Sequence, residues 1–100
     1  MDKNCCGGKI VDILDLRKFL KLISDTNRLR ILCLLTKKEL CVCRIFEALR
    51  LSQNLVSHHL AKLKEAGILD ERKEGTFVIY SVNRKSLKRY KKIFNLIIKD

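Results

Sequence analysis

The spacing of apolar residues changes once along this chain, and that change limits the fold more than any other feature. Up to Gly67 the apolar residues recur at intervals of three and four, which is the spacing of amphipathic helices. Over residues 68–82 the sequence ILDERKEGTFVIYSV has the shorter period of strands, with a charged turn at residues 73–75 before a β-rich run. A chain of 100 residues is one domain, so we expect several helices and one β-hairpin around a single core.

Four helices are predicted before the hairpin and one after it. The predicted segments are residues 10–23, 26–36, 41–50, 53–66 and 84–100. Residues that cap helices precede three of them: Ser24 or Asp25 before the second, Ser52 before the fourth and Asn83 before the last. The predicted fold is therefore mainly α with a β-hairpin, in the order α-α-α-α-β-β-α.

The third and fourth helices, the short connection ALRLSQ between them and the hairpin that follows indicate a winged helix-turn-helix. The fourth helix would be the recognition helix, with Val56, Leu60 and Leu63 on its buried stripe. The apolar faces of the first and last helices predict a symmetric homodimer through those two helices. We expect a flexible N-terminal arm at residues 1–9 and a DNA-binding and dimerisation domain at residues 10–100.

The charge of the chain favours a polyanionic partner. Lys and Arg number 22 against 11 Asp and Glu, giving a formal net charge of +11. Cations that neutralise phosphates release bound counterions, so double-stranded DNA is the expected partner, although a solvated lysine-rich surface would have the same composition. Gln and Asn can pair bidentately with adenine. The residues predicted to contact DNA are Gln53, Asn54, Ser57, His58 and Lys62 on the fourth helix, and Arg72 and Lys73 at the hairpin tip.

The five cysteines are expected to be reduced. The chain shows no secretory signal and no apolar run near the roughly 20 residues that span a bilayer, so a cytoplasmic protein without a membrane partner is expected. In that compartment cysteines are free thiols or metal ligands more often than disulfides. Cys33 lies in an apolar stretch of the second helix, and we expect it in the core.

Cys41 and Cys43 stand at the predicted start of the third helix. A helix N-terminus and the neighbouring Arg44 both favour the thiolate, which is the form that binds metal. Residues two apart point to different faces of a regular helix, so both sulfurs could hold one ion only if the helix start were unwound. Two half-buried small residues, or a thiol redox sensor, are the alternatives. The chain has no Gly-rich cofactor loop and no C-x-x-C motif, so neither an enzyme nor an organic cofactor is expected.

Four segments of the chain resemble the ArsR/SmtB family of metal-responsive winged-helix repressors. DTNRLRILCLL is similar to the family's second helix, ELCVC to its metal-binding box, SQNLVSHHLAKLKEAGIL to its recognition helix and RKEGTFVIYSV to its wing. The resemblance implies a homodimer that represses transcription by binding operator DNA in the apo form, and that is released when an inducer ion binds.

The resemblance also implies which thiols bind the inducer. Arsenite-sensing members carry a third Cys three residues after the second Cys of the box, where this chain has Phe46. In cadmium- and lead-sensing members an N-terminal arm supplies further ligands, a role that Cys5 and Cys6 match in position. The expected metal ligands are therefore Cys41, Cys43, Cys5 and Cys6, and the expected inducer is As(III)/Sb(III) or Cd(II)/Pb(II). The family's second metal site, on the last helix, is expected to be absent because that helix has no His.

Overall fold

The computed structural model describes residues 9–98, and Cys5, Cys6 and most of the predicted arm lie outside that range. Within it, no helix is both long enough and apolar enough to cross a bilayer. The elements are α1 (Ile10–Ile23), α2 (Thr26–Lys37), β1 (Leu40–Cys41), α3 (Val42–Leu49), α4 (Gln53–Glu65), β2 (Leu69–Glu74), β3 (Phe77–Val82) and α5 (Arg84–Ile97).

The predicted fold class is confirmed, and the predicted caps are in place. Asp25 accepts hydrogen bonds from the backbone amides of residues 27 and 28 at the start of α2, at 2.9 and 3.1 Å. Ser52 accepts one from the amide of Leu55, and Asn83 accepts one from the amide of Ser86. These side chains bind amides that a helix itself leaves unpaired, so the helix starts are determined locally.

The core lies where α2, α3 and α4 meet the sheet. Its fully buried side chains are Ile31, Leu35, Ile45, Val56, Leu60, Leu63, Ile68 and Leu69. Burying one aliphatic side chain of this size stabilises the fold by about 1.5–3 kcal/mol, so this cluster supplies most of the packing energy. The stripe predicted for the fourth helix is confirmed, since its three members are all fully buried.

The buried face of α2 does not include Cys33. Ile31, Leu32 and Leu35 are buried, whereas Leu29 and Cys33 are exposed, so the prediction that Cys33 lies in the core was wrong. Residues 31–35 read ILCLL, and such a continuous apolar run does not determine which face is buried. Packing against α3 and α4 selects the face that carries Ile31 and Leu35.

The sheet has a third strand that the sequence did not predict. β1 pairs antiparallel with β3, in the register Leu40 with Tyr80 and Cys41 with Ile79, and the strand order is β1-β3-β2. Consequently α3 begins at Val42 rather than at Cys41. The hairpin turn is Gly75 and residue 76, one step beyond the predicted turn, and the φ of 62° at Gly75 is one that glycine adopts at little cost.

Helices α1 and α5 pack against each other and leave an apolar surface outward. The rings of Phe19 and Tyr90 stack with centroids 4.4 Å apart, and Arg89 donates hydrogen bonds to Asp12 and Asp15 at 2.9 and 3.0 Å. The outer faces of the two helices expose Ile10, Val11, Leu14, Leu20, Phe94 and Ile98. We call these six residues the outer apolar face.

A buried histidine ties the start of α2 to α4. His59 is 5% exposed, and its Nδ1 accepts a hydrogen bond of 3.0 Å from Nε of Arg28. Arg28 also donates to the carbonyl of Leu22, and Asp25 lies 3.9 Å from Nε2 of His59. Burial lowers the pKa of His59 below its usual 6.5, and the neutral ring is the form that can accept from Arg28.

The buried histidine predicts an acid-sensitive fold. The folded protein binds a proton at His59 less readily than the unfolded chain, so stability from this residue is complete above pH 6.5 and decreases as the pH falls below it. We expect His59→Gln to cost about 1–3 kcal/mol at pH 8, because it weakens the acceptor for a partly buried donor, and to flatten the pH dependence. Urea unfolding at pH 8 and pH 5.5, at one protomer concentration, measures both effects.

His58→Gln is the matched control, since His58 is exposed on the same helix. It should retain the pH dependence of the parent protein. Equal pH dependence in the parent and in His59→Gln would contradict the assignment.

Candidate thiol site and nucleic-acid interface

One side of α4 is exposed and polar. Val56, His59, Leu60 and Leu63 point inward, and the predicted contacts Gln53, Asn54, Ser57, His58 and Lys62 are all exposed on the remaining surface. We call these five exposed residues the reading face. Its amides, hydroxyl and imidazole can exchange hydrogen bonds with base edges, and its lysine can pair with a phosphate.

The angle between α3 and α4 is determined by a tight turn. Arg50 has φ 55° and ψ 44°, a left-handed conformation that ends α3, and the amide of Leu51 bonds to the carbonyl of Phe46 at 3.1 Å. Arg30 of α2 donates to the carbonyl of Leu49 at 2.9 Å, which satisfies a group that the end of α3 leaves unpaired. The turn holds α4 against the core in the arrangement of a helix-turn-helix.

The two wing residues predicted to contact DNA have different surroundings. Lys73 is exposed, in register with Val78 near the hairpin tip. Arg72 is one position further from the tip, and both ends of its guanidinium donate to Glu39, each at 2.6 Å. It also donates to Glu74 at 2.6 and 3.1 Å. Arg72 is therefore already paired with carboxylates of this chain, whereas Lys73 points to solvent.

The paired charges shift the pKa of the groups that form them. Hydrogen bonds from Arg72 hold the pKa of Glu39 below its usual value, and the two carboxylates raise the pKa of Arg72. On the other face of β2, a hydrogen bond from Lys64 is the main cause that lowers the pKa of Glu71. Glu39 and Glu71 are therefore ionised, and each holds a cation.

The structure brings Cys41 and Cys43 together. The two residues have Cα atoms 5.5 Å apart, and their sulfurs are joined as a disulfide, so the expectation that all five cysteines are reduced is wrong for this pair in the structure. Both are half-buried between β1, the start of α3 and the hairpin. Two sulfurs that can bond to each other can also approach one soft cation when they are reduced.

The thiols converge because the chain is not helical at Cys41, which agrees with the prediction that they could meet only if the start of the helix were unwound. Cys41 has φ −75° and ψ 161°, so it is extended and caps α3, and only Cys43 lies within the first turn. The extended residue lets its side chain turn toward Cys43, which two residues of regular helix would prevent. The pairing of Cys41 with Ile79 holds this geometry.

An open groove surrounds the thiols. Its lining includes Glu39, Arg44, Glu47 and Arg72 beside the two cysteines. Within residues 9–98 no three side chains of His, Cys, Asp or Glu are grouped closely enough to hold a metal ion. The donor set is therefore soft and correct in type for a thiophilic ion, but two sulfurs alone do not complete a site, and Cys5 and Cys6 lie outside the described residues.

Sequence reasoning missed the role of Glu39. It belongs to the ELCVC segment, but neither the period nor the spacing of that segment shows that it binds an arginine located 33 residues later. The pairing depends on β1, whose two residues are too few to give a strand pattern. The sequence signal for this role was an acidic residue next to the two cysteines in a strongly basic chain.

Comparison with known proteins agrees with this geometry. The family model described as bacterial regulatory protein, arsR family, matches residues 25–71, which include both box cysteines and the reading face. A solved structure of a possible transcriptional regulator for arsenical resistance superposes with a TM-score of 0.72 at 30% identity, covering 81% of this chain and 84% of that one.

Three curated relatives are similar over most of the chain. The arsenic resistance transcriptional regulator ArsR1 of Pseudomonas putida is 42% identical over 78 residues, or 77% of this chain and 61% of that protein. The arsenical resistance operon repressor of Staphylococcus xylosus is 38% identical, covering 73% of this chain and 70% of its own length. The cadmium resistance transcriptional regulatory protein CadC of Listeria innocua is 43% identical, covering 64% and 55%.

The family model, these identities and the shared winged helix agree with each other. The chain spans less than two thirds of ArsR1 and of CadC, but more than two thirds of the Staphylococcus xylosus repressor. The chain belongs to the ArsR family of bacterial regulatory proteins, which are winged-helix transcription regulators that bind DNA and are not enzymes.

Proposed function

We propose that this chain is a homodimeric transcriptional repressor that binds operator DNA in its metal-free, reduced form and releases it when its thiols bind a soft metal or metalloid ion. The observation that carries the proposal is the meeting of Cys41 and Cys43 at the junction of β1 and α3, next to the wing. The similar regulators of arsenic and cadmium resistance support it. The cytoplasm keeps thiols reduced and gives access to DNA, so we propose that the protein is cytoplasmic.

The reading face of α4 would enter the major groove. Its first turn carries Gln53 and Asn54, whose amides can recognise adenine, and Lys62 lies two turns further along, where it can reach a phosphate. Lys73 of the wing would contact the backbone beside it. Contacts to bases determine sequence preference, and contacts to phosphates determine the dependence on salt.

Two substitutions separate these roles. Asn54→Ala should weaken operator binding by about 1–3 kcal/mol, because it removes a base contact, and leave binding to unrelated DNA nearly unchanged. Lys62→Ala should weaken binding to operator DNA and to unrelated DNA alike. It should also reduce the slope of log K against log salt by about 0.9 for each phosphate that the protein no longer neutralises. Fluorescence anisotropy at several salt concentrations measures both quantities.

Lys18→Ala provides the control, because Lys18 is an exposed cation on α1 and belongs neither to the reading face nor to the wing. Lys18→Ala should change neither the preference for operator over unrelated DNA nor the slope of log K against log salt appreciably. A loss of affinity from Asn54→Ala that is equal on operator and unrelated DNA would contradict base recognition.

The outer apolar face supports a homodimer. Six large apolar side chains on α1, on α5 and at the C-cap of α5 remain exposed in one chain, and exposed apolar surface of this kind is typical of an interface. A two-fold axis through α1 and α5 would bury it and place two copies of α4 on the same side. Each dimer would then read two half-sites of a palindromic operator.

Leu14→Glu tests this interface. A charge on the outer apolar face removes apolar burial and must itself be desolvated, so the free energy of dimerisation should weaken by several kcal/mol. Operator affinity should then fall at least about tenfold, because the monomer has one recognition helix. Light scattering after size-exclusion chromatography measures the mass. Leu29→Glu is the matched control, because Leu14 and Leu29 are each 49% exposed and Leu29 lies on α2. Dimers that persist in Leu14→Glu would place the interface elsewhere.

Inducer capture would begin at Cys41 and Cys43. As(III) takes three thiolates, and Cd(II) or Pb(II) takes up to four, so one or both of Cys5 and Cys6 would supply the remaining ligands, from the same or the partner chain. Each thiol loses its proton on binding, so affinity should rise with pH. Phe46 occupies the position of the third cysteine found in arsenite-sensing relatives of this type, so the arm is the source of further sulfur that the sequence offers.

A thiol redox sensor is the second candidate. The disulfide between Cys41 and Cys43 favours it, because an oxidant such as peroxide could form this bond by removing two electrons and two protons from the thiols. Both candidates use the same two cysteines. They differ in whether the inducing signal leaves the sulfurs reduced.

Replacing both box thiols tests the proposed sensor. Under reducing conditions, arsenite or Cd(II) should lower the operator affinity of the parent protein by about 5- to 150-fold, and should leave that of Cys41→Ser/Cys43→Ser unchanged. Fluorescence anisotropy gives the affinity, and the ultraviolet thiolate-to-metal band gives the number of sulfurs bound. Cys5→Ser/Cys6→Ser should weaken that band without removing it.

Cys33→Ser is the control, because Cys33 is a single exposed thiol on α2. It should respond to ions like the parent protein. Release of DNA from the double serine variant would show that the site is misassigned. Release by mild peroxide but not by any ion, with a mass two hydrogens lower, would support the redox sensor instead.

A further inference from the structure

The thiols and the wing share one row of residues across the sheet. Arg72 of β2 is in register with Ile79 of β3, and Ile79 is in register with Cys41 of β1. Residues directly opposite each other on antiparallel strands project from the same face, and so do residues two apart on one strand. Glu39 lies just before β1, two residues from Cys41, and its carboxylate meets Arg72 on this face.

Arg72 spans β3 to reach Glu39. Strands in a sheet lie about 4.8 Å apart, so the arginine crosses the width of two strand spacings, over Ile79. Its fork binds both oxygens of Glu39 at 2.6 Å, and the same guanidinium is held from its own strand by Glu74. The wing is thus joined to the thiol segment by backbone pairing through β3 and by a bidentate ion pair from β2.

The geometry of this pair matters more than its energy. Both side chains are about half exposed, 49% for Arg72 and 48% for Glu39, so water screens their attraction. A bidentate fork nevertheless restricts direction as well as distance. A single residue separates Glu39 from Cys41, so a change in the backbone of Cys41 displaces the carboxylate that Arg72 holds.

We propose that Arg72 is a positioning residue that links the thiol site to the wing, rather than a residue that contacts DNA. The structure has this ion pair with Cys41 and Cys43 joined as a disulfide, and in the reduced, metal-free form Glu39 would keep holding Arg72, and through it β2, in the orientation that suits the operator. When Cys41 and Cys43 bind an ion, β1 and the start of α3 rearrange, Glu39 moves, and the wing moves with it. This inference rests on the proposed function, because it describes how ion binding would weaken DNA binding.

A double-mutant cycle tests the link. The variants are Arg72→Gln, Glu39→Gln and the double variant, each titrated with operator DNA by fluorescence anisotropy, with and without Cd(II). The measured quantity is the factor by which Cd(II) lowers DNA affinity. We expect each single variant to reduce that factor by at least about threefold and the double variant to reduce it no further, because each substitution removes the same ion pair. The ultraviolet thiolate band should show unchanged Cd(II) binding.

Arg72→Lys separates positioning from direct contact. Lysine keeps the charge that a phosphate would attract but lacks the fork that grips Glu39. The Arg72→Lys variant should behave like Arg72→Gln if Arg72 positions the wing. It should behave like the parent protein if Arg72 contacts a phosphate. Glu71→Gln is the control, since Glu71 lies on the opposite face of β2 and pairs with Lys64. It should leave the response to Cd(II) unchanged.

Three results would overturn the link. One is an unchanged response to Cd(II) in Glu39→Gln. Another is that the two single variants change DNA affinity in opposite directions, with Glu39→Gln binding DNA more tightly and Arg72→Gln binding it more weakly and with a smaller salt slope. That result would show that Arg72 contacts a phosphate. The third is a double variant in which the losses of Cd(II) response from the two single variants add together. If the parent protein itself ignores every thiophilic ion, the proposed function fails together with the link, whereas failure of the variants alone leaves the proposed function intact.

Discussion

Burial of one stripe of α4 is the interaction on which the rest of the structure depends. Val56, Leu60 and Leu63 are fully removed from water, and α2, α3 and the sheet all pack around them. Shifting this stripe by one residue would replace it with Ser57, Ala61 and Lys64, and burying their polar groups without partners would cost several kcal/mol. The same packing that stabilises the fold therefore turns the reading face outward, so the surface that we propose contacts DNA is a consequence of the core.

The thiols lie where three elements meet. Cys41 ends β1, caps α3 and pairs with β3, so one residue belongs to a strand, to a helix terminus and to the thiol pair. A strand of two residues has few hydrogen bonds and is marginal by itself. Elements of low local stability are the ones that can rearrange without unfolding the domain. A ligand at this junction can thus alter the helix and the wing while the core around α4 stays intact.

Several acids of this basic chain share one structural use. Asp12 and Asp15 bind Arg89 between α1 and α5, Glu71 binds Lys64, and Glu39 binds Arg72. Each ion pair holds a cation in place within the fold and makes it less available to phosphate. The count of 22 Lys and Arg therefore overstates how many cations are available to DNA, and Lys62 and Lys73, which are exposed, are better candidates than Arg72.

The sequence by itself determined what depends on neighbouring residues. Caps such as Asp25, Ser52 and Asn83, the periodic stripe on α4 and the glycine of the hairpin act over a few residues, so the order of helices and hairpin could be predicted from the chain. Tertiary structure alone decided which side of the apolar run at residues 31–35 is buried, and so exposed Cys33. It also created β1 by offering the edge of β3, brought Cys41 onto Cys43, and joined Arg72 to Glu39. These features depend on residues far apart in the chain, and local periodicity carries no information about such pairs.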